Sequence, residues 1–297
     1  MAAPAIPARR AVESRHSRGL WRDAFQRLLR NGPAVLGMAL IAGFVLTAVF
    51  APLLAPFDPL DSALSDRLQP PSPEHWMGTD RQGRDEMSRI IFGARVSLVA
   101  AVASVVMGLA IGGTVGALAG GIGGKVDAVF MRIVDVLLAI PGILLAIGIV
   151  AWLDRGLPQI IFAVAMVNVP IFARILRGTL LSLRESDYVL ASRSVGASGS
   201  RLLLRHLLPN SLTPLIVAAT LSLATAIIDV AGLGFLGLGP PDPRTPEWGT
   251  MLTDSTKFFR QAPWLLFFPG AAIVITAVGF NLLGDGLRES LDPRMKR

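Results

Sequence analysis

Six stretches of this chain are apolar and almost free of charge, and a soluble fold has no use for so many. Residues 31–57, 96–124, 206–228 and 261–284 contain no Asp, Glu, Lys or Arg. A helix needs roughly 20 apolar residues to cross about 30 Å of hydrocarbon, where every backbone polar group must be satisfied internally. Each of these four windows is therefore read as a membrane span. Windows 136–153 and 156–173 sit at the lower limit of length and are read as extending back through 131–135 and forward through 175–183. Only Asp154 and Arg155 separate them, which predicts a helical hairpin. The expectation is an all-α integral membrane fold with six transmembrane helices, in keeping with 52% hydrophobic and 16% charged residues.

The net charge of +7 is distributed unevenly. Seven arginines precede the first window, six lie from Arg174 to Arg205, and four basic residues follow the last. Six crossings put those segments on one face, the cytoplasmic one by the positive-inside bias, with both termini there. The outer face then carries 58–95, the Asp154–Arg155 turn and 239–260. In 58–95 seven acids meet five bases. No cleaved signal peptide is expected, because the first window is too long and follows a polar tail. With no cysteine, disulfides, thiolate metal sites and catalytic thiols are excluded.

Ahead of the first span, 1–17 is expected to be disordered. Leu20, Trp21, Ala24, Phe25, Leu28 and Leu29 then share one side of a helical wheel, opposite Arg22, Asp23, Gln26, Arg27 and Arg30. That pattern predicts an amphipathic helix on the cytoplasmic leaflet. Residues 58–73 read as an irregular loop. Met87, Ile90, Ile91 and Ala94 predict a short helix within 78–95 that leads into the second span.

Gly232, Gly234 and Gly237 fit G-x-G-x-x-G, yet the flanking strand and helix of a nucleotide fold are missing. Close helix packing is the expected role of these glycines. No P-loop occurs, so ATP hydrolysis by this chain is not expected. His16, His75 and His206 lie on separate segments and predict no metal site. Asp229, at the outer end of the fifth span, is the one acid at membrane depth and a candidate for the translocation path. Arg132 and Asp135, spaced i, i+3, are expected to neutralise each other.

The longest cytoplasmic connection, 184–214, predicts a helix from the Ser186 cap through Asp187 to Val195, stopped by Gly196. A second short helix is expected over 200–208, ending before Pro209. Within this loop Leu190, Ala191, Ser192, Gly196, Leu208 and Pro209 match in spacing the cytoplasmic signature of binding-protein-dependent ABC permeases. That signature is Glu-Ala-Ala, three residues, Gly, nine residues, then Ile-x-Leu-Pro. Leu190 stands for the acid, Ser192 for the second Ala and His206 for Ile.

The segment from His75 through Gly78, Thr79, Asp80, Gly83, Arg84 and Asp85 resembles the H-x-x-G-T-D-x-x-G-R-D pattern of the C-type permeases of dipeptide, oligopeptide or nickel importers. FLGLG at 235–239 and NLLGDGLR at 281–288, followed by Leu291, Asp292 and Pro293, are similarly placed. The resemblance implies a type I ABC importer permease fold, with 96–285 as the five-helix core between an N-terminal unit 1–95 and a tail 286–297. It also implies a second permease subunit, two cytosolic ATPase subunits that use ATP and Mg, and an external solute-binding protein. This chain itself would bind no cofactor. Asp187, Leu190, Ala191, Ser192, Gly196, Ala197, Ser198, Arg201, Arg205, His206 and Pro209 would form the ATPase-docking coupling loop.

Dipeptides are the first substrate expected, with longer peptides and nickel chelates open. A rival class, an ATP-independent channel or ion-coupled carrier, predicts ionisable residues along its path, and these spans are almost bare of them. A scaffold that moves no solute is a third class.

Overall fold

The computed structural model describes residues 20–242 and 244–291, and the expectation for 1–17 and the position of His16 lie outside them. Helix α1 (Leu20–Leu28) precedes α2 (Gly32–Val49) and the short α3 (Ala51–Leu54). Asn31 caps α2 by accepting the Ala34 N–H at 3.1 Å. A long connection reaches α4 (Glu86–Ile122), followed by α5 (Gly124–Leu138), α6 (Gly142–Leu153) and α7 (Leu157–Arg184). The loop helices α8 (Asp187–Ser194) and α9 (Gly199–Leu202) come next, then α10 (Leu208–Leu233), α11 (Trp248–Ser255) and α12 (Trp264–Leu291).

Among the described residues five helices are long and apolar enough to span a membrane, and α5 with α6 makes a sixth, broken span. The third span, read from the sequence as one window over 136–153 extending back through 131–135, is thus two helices. The two helices meet at 94°, because Pro141 lacks an N–H and biases the preceding residue away from helix. α6, at 12 residues, is only about 18 Å long. α4 starts at Glu86, so the helix predicted within 78–95 and the second span are one continuous element.

The centre of the bundle is the parallel packing of α4 on α7. Gly108, Gly112 and Gly116 form a column along α4, and a Cβ on each would lie 2.8, 2.4 and 2.6 Å from the backbone oxygens of Ala165, Val169 and Ala173. Small residues let backbones meet where hydrocarbon supplies no hydrophobic drive. α2 meets α12 in the same way at Gly37, where a Cβ would sit 2.7 Å from the Gly279 oxygen. α10 and α12 close the core, with Ile227, Val230, Leu233 and Phe172 fully or almost fully buried.

These contacts sort the loops into two ends. Asn31 donates to Glu289 at 2.6 Å, and Leu28 packs beside Gly286, so α1 and the end of α12 share one end with the α7–α10 loop. α1 buries Ala24 and Leu28 while Phe25 and Leu29 stay exposed, as an interfacial helix requires. The 58–85 connection, the Asp154–Arg155 turn and the 234–263 segment gather at the opposite end.

Candidate functional site

The α7–α10 loop stands on a buried root. α8 begins at Ser186, whose backbone is extended and whose hydroxyl donates back to the Leu183 carbonyl at 2.5 Å rather than capping α8. Val195 and Gly196 end α8 with Gly196 at φ +88°, as the sequence predicts. The second helix does not stop before Pro209. α9 passes through a wide π-type turn, Leu203–Leu207, directly into α10, with Pro209 in the first turn. Pro209 lacks an N–H, and the wide turn just before it is where the regular helical hydrogen-bond ladder is interrupted.

Val189, Leu202 and Leu207 are buried beneath the loop. A Cβ on Gly121, at the end of α4, would lie 2.8 Å from Leu203 Cδ2, and Arg184 donates to the Gly121 carbonyl. The loop is thereby fixed to α4, α7 and α10 at once. Above this root Asp187, Leu190, Ala191, Gly196, Ser198, Arg201, Arg205 and Pro209 are exposed, with Ser192, Ala197 and His206 partly so. Val195, an apolar side chain, is 90% exposed at the tip. All eleven loop residues singled out in the sequence thus share one accessible projection. Asp229 lies far from it on α10, half-buried.

Two sequence expectations change here. Asp135 pairs with Arg174 of α7 at 2.6 Å and not with Arg132, because the helix packed alongside presents a nearer cation. Of the three glycines of the G-x-G-x-x-G match, only Gly234 packs closely, since a Cβ there would meet Glu247 Oε2 at 2.3 Å. Gly232 and Gly237 have nothing within 4 Å, and Gly237 takes φ +78° at the end of α10.

The opposite end holds a buried polar assembly. Asp85 caps α4 by accepting the Ser88 N–H at 2.7 Å, and its other oxygen meets His75 Nδ1 at 3.0 Å. Asp80 pairs with Arg84 at 2.7 Å and stands 3.6 Å from Arg89 Nε. Glu247 caps α11, accepting N–H groups of Gly249 at 2.8 Å and Thr250 at 2.9 Å. Burial pushes its carboxyl up to about 7, against the lowering effect of those bonds. Trp248, fully buried, donates to the Ile90 carbonyl at 3.1 Å. Sequence reasoning passed over Glu247 and Trp248, because Glu is not among the residue types that favour a helix N-cap.

A spanning bundle with a rooted, projecting loop matches known proteins. The profile of the family described as binding-protein-dependent transport system inner membrane component covers residues 112–297. The chain belongs to this family. A second profile, the N-terminal TM domain of oligopeptide transport permease C, matches 19–71 of this permease. The dipeptide transport system permease protein DppC of Alkalihalophilus pseudofirmus is 49% identical over 93% of this chain and 90% of that one. The oligopeptide transport system permease protein OppC of Bacillus subtilis is 42% identical over 96% and 93%. The glutathione transport system permease protein GsiD of Escherichia coli O157:H7 is 44% identical over 93% and 91%.

Among solved structures, an inward-facing MetNI methionine ABC transporter chain aligns with a TM-score of 0.59 and 23% identity, over 69% of this permease and 97% of that chain. That likeness concerns the fold, an ABC importer permease bundle.

Proposed function

We propose that this permease carries peptides inward as one membrane subunit of an ATP-driven importer, and that α8 and α9 form the loop that docks on a partner ATPase. The observation that carries the reading is the loop itself. Val189, Leu202 and Leu207 are buried beneath it, Leu203 and Arg184 tie it to Gly121 of α4, and its tip offers Val195 and Leu190 to solvent. Exposed apolar side chains on a rigid projection suit a protein partner. Rooting in three spans suits transmission of a partner's motion into the bundle.

In this reading ATP and Mg belong to two ATPase subunits, a second permease completes the pathway, and a separate binding protein delivers solute. The arginine-rich end faces the cytoplasm with both termini, and the membrane is the bacterial inner one. A peptide cargo is favoured by the names of the relatives, two of which are dipeptide and oligopeptide permeases.

The test is uptake together with copurification. Gly196, at φ +88°, has open space around its Cα, so Gly196→Arg strains only the loop tip and blocks docking. Membrane insertion is expected to stay normal while the ATPase no longer copurifies and peptide uptake is lost. Normal uptake in that variant refutes docking. Uptake by the chain alone in ATP-free liposomes refutes the importer and establishes a carrier.

A further inference from the structure

At the end opposite the loop lies a cavity of about 350 Å³ between the start of α4, the α6–α7 turn, the end of α10 and α11. Its volume falls in the range of small-molecule sites. Arg81, Arg89 and Arg155 line it, with Asp242 and Asp254 as its acids. Both acids are already matched, Asp254 to Arg81 at 3.3 Å and Asp242 to Arg244 at 3.3 Å. Arg89 is different. Its side chain is 3% exposed, its nearest carboxylate, Asp80, is 3.6 Å away and shared with Arg84, and its NH1 nitrogen is buried without a partner.

A buried guanidinium nitrogen with nothing to donate to is costly, which leaves Arg89 with charge not fully matched beside the cavity it lines. Arg155, on the exposed hairpin turn, has no carboxylate partner among the described residues and adds a second cation at the rim. Glu86 sits on the other side of Arg89, in a water-sized cavity of about 20 Å³. Gly234, Gly237 and Gly239 line the facing side together with Thr250.

We propose that this cavity binds a carboxylate, the terminal carboxylate of a peptide entering the transporter, through Arg89 and Arg155. A guanidinium fork is the donor geometry that a planar carboxylate fits best. The assignment rests on the peptide-import reading and deepens it, because it gives the membrane subunit its own contact with the solute.

The experiment uses the assembled transporter, purified with its partners, in proteoliposomes. Uptake of labelled Ala-Ala is compared with uptake of its C-terminal amide for wild type, Arg155→Gln, Arg155→Lys and Arg89→Gln. Arg155→Gln, at an exposed turn, leaves folding intact. It is expected to raise the half-saturation concentration for Ala-Ala roughly tenfold, the loss of one charge-assisted hydrogen bond. The amide should be unaffected, and Arg155→Lys should restore most of the loss. ATP-dependent uptake in which these variants treat the free acid and the amide alike overturns the site while leaving the importer standing.

If wild type shows no ATP-dependent uptake, the importer reading fails, and equilibrium dialysis of labelled Ala-Ala against the full chain in nanodiscs decides the site. Retention of Ala-Ala that is lost in Arg155→Gln supports it, and absence of retention by wild type overturns it.

Discussion

Two neighbouring glycines of α4 are predicted to respond differently to the same substitution. A Cβ on Gly112 would lie 2.4 Å from the Val169 oxygen and 3.0 Å from Phe172 Cβ, whereas a Cβ on Gly113 meets nothing within 4 Å. Relieving the first contact requires α4 and α7 to separate by roughly 1 Å to reach ordinary van der Waals distance. Overpacking of this kind costs about 1–3 kcal/mol. Both alanine variants gain about 1 kcal/mol of helix propensity, so that gain cancels in the comparison. Gly112→Ala is therefore less stable than Gly113→Ala by about 1–3 kcal/mol, and Gly113→Ala is more stable than wild type. At roughly 2–4 °C per kcal/mol for a chain of this order of size, the melting points differ by about 2–12 °C. The assay is a thermal melt of detergent-purified protein at one scan rate, since membrane proteins unfold irreversibly. A Gly112→Ala melting point at or above that of Gly113→Ala would refute the close α4–α7 packing.

Glu247 holds its proton more tightly in the fold than its usual 4.5, to about 7, so its contribution to stability is full below pH 4.5 and declines as pH rises to 7. The ceiling of that decline is about 3 kcal/mol; Glu247→Gln should flatten the melting point across this window, and an unchanged slope counts against the assignment. Phe25→Asp places a charge on the exposed apolar side of α1 and should weaken liposome binding of a peptide spanning 19–31 at least tenfold, with equal flotation as the contrary result. Trp248→Ala empties a fully buried site and should cost about 3–5 kcal/mol, seen as loss of folded protein on size-exclusion chromatography; a normal profile contradicts the buried placement.

The spans were legible because hydrocarbon tolerates neither charge nor unpaired backbone, a constraint that a single sequence displays without partners. The Ser186 to Gly196 unit was legible for a similar reason, since its stop is decided within a few residues. Prolines were not. Pro170, Pro214 and Pro269 are carried inside helices, Pro209 opens one, and Pro141 accompanies a 94° bend. The residue is the same each time, and packing of the neighbouring helices selects the outcome. The Arg132–Asp135 pairing failed in the same way, because spacing along one helix says nothing of Arg174 on another. At the opposite end the sequence offered a resemblance around His75 to Asp85 but could not show that Asp80, Arg84 and Arg89 share one buried cluster, nor that Ser97 of α4 donates to Glu247 across 150 residues of chain at 3.4 Å.

The two ends of the bundle are joined by the same helices, which bears on how an importer of this kind would work. α4 begins in the arginine cluster beside the proposed carboxylate cavity and ends against the root of the loop at Gly121. α7 begins at the Arg155 turn and ends at Arg184, which holds that same glycine's carbonyl. Because the glycine column packs α4 on α7 with no room for even a methyl group, the pair is expected to tilt as one body rather than slide. A partner that moves the loop would then change the rim of the cavity at Arg89 and Arg155 together, and solute in the cavity would bias the loop by the same free energy. That reciprocity gives a direct check. Ala-Ala should stimulate ATP hydrolysis by the assembled transporter more than its amide does, and Arg155→Gln should abolish the difference.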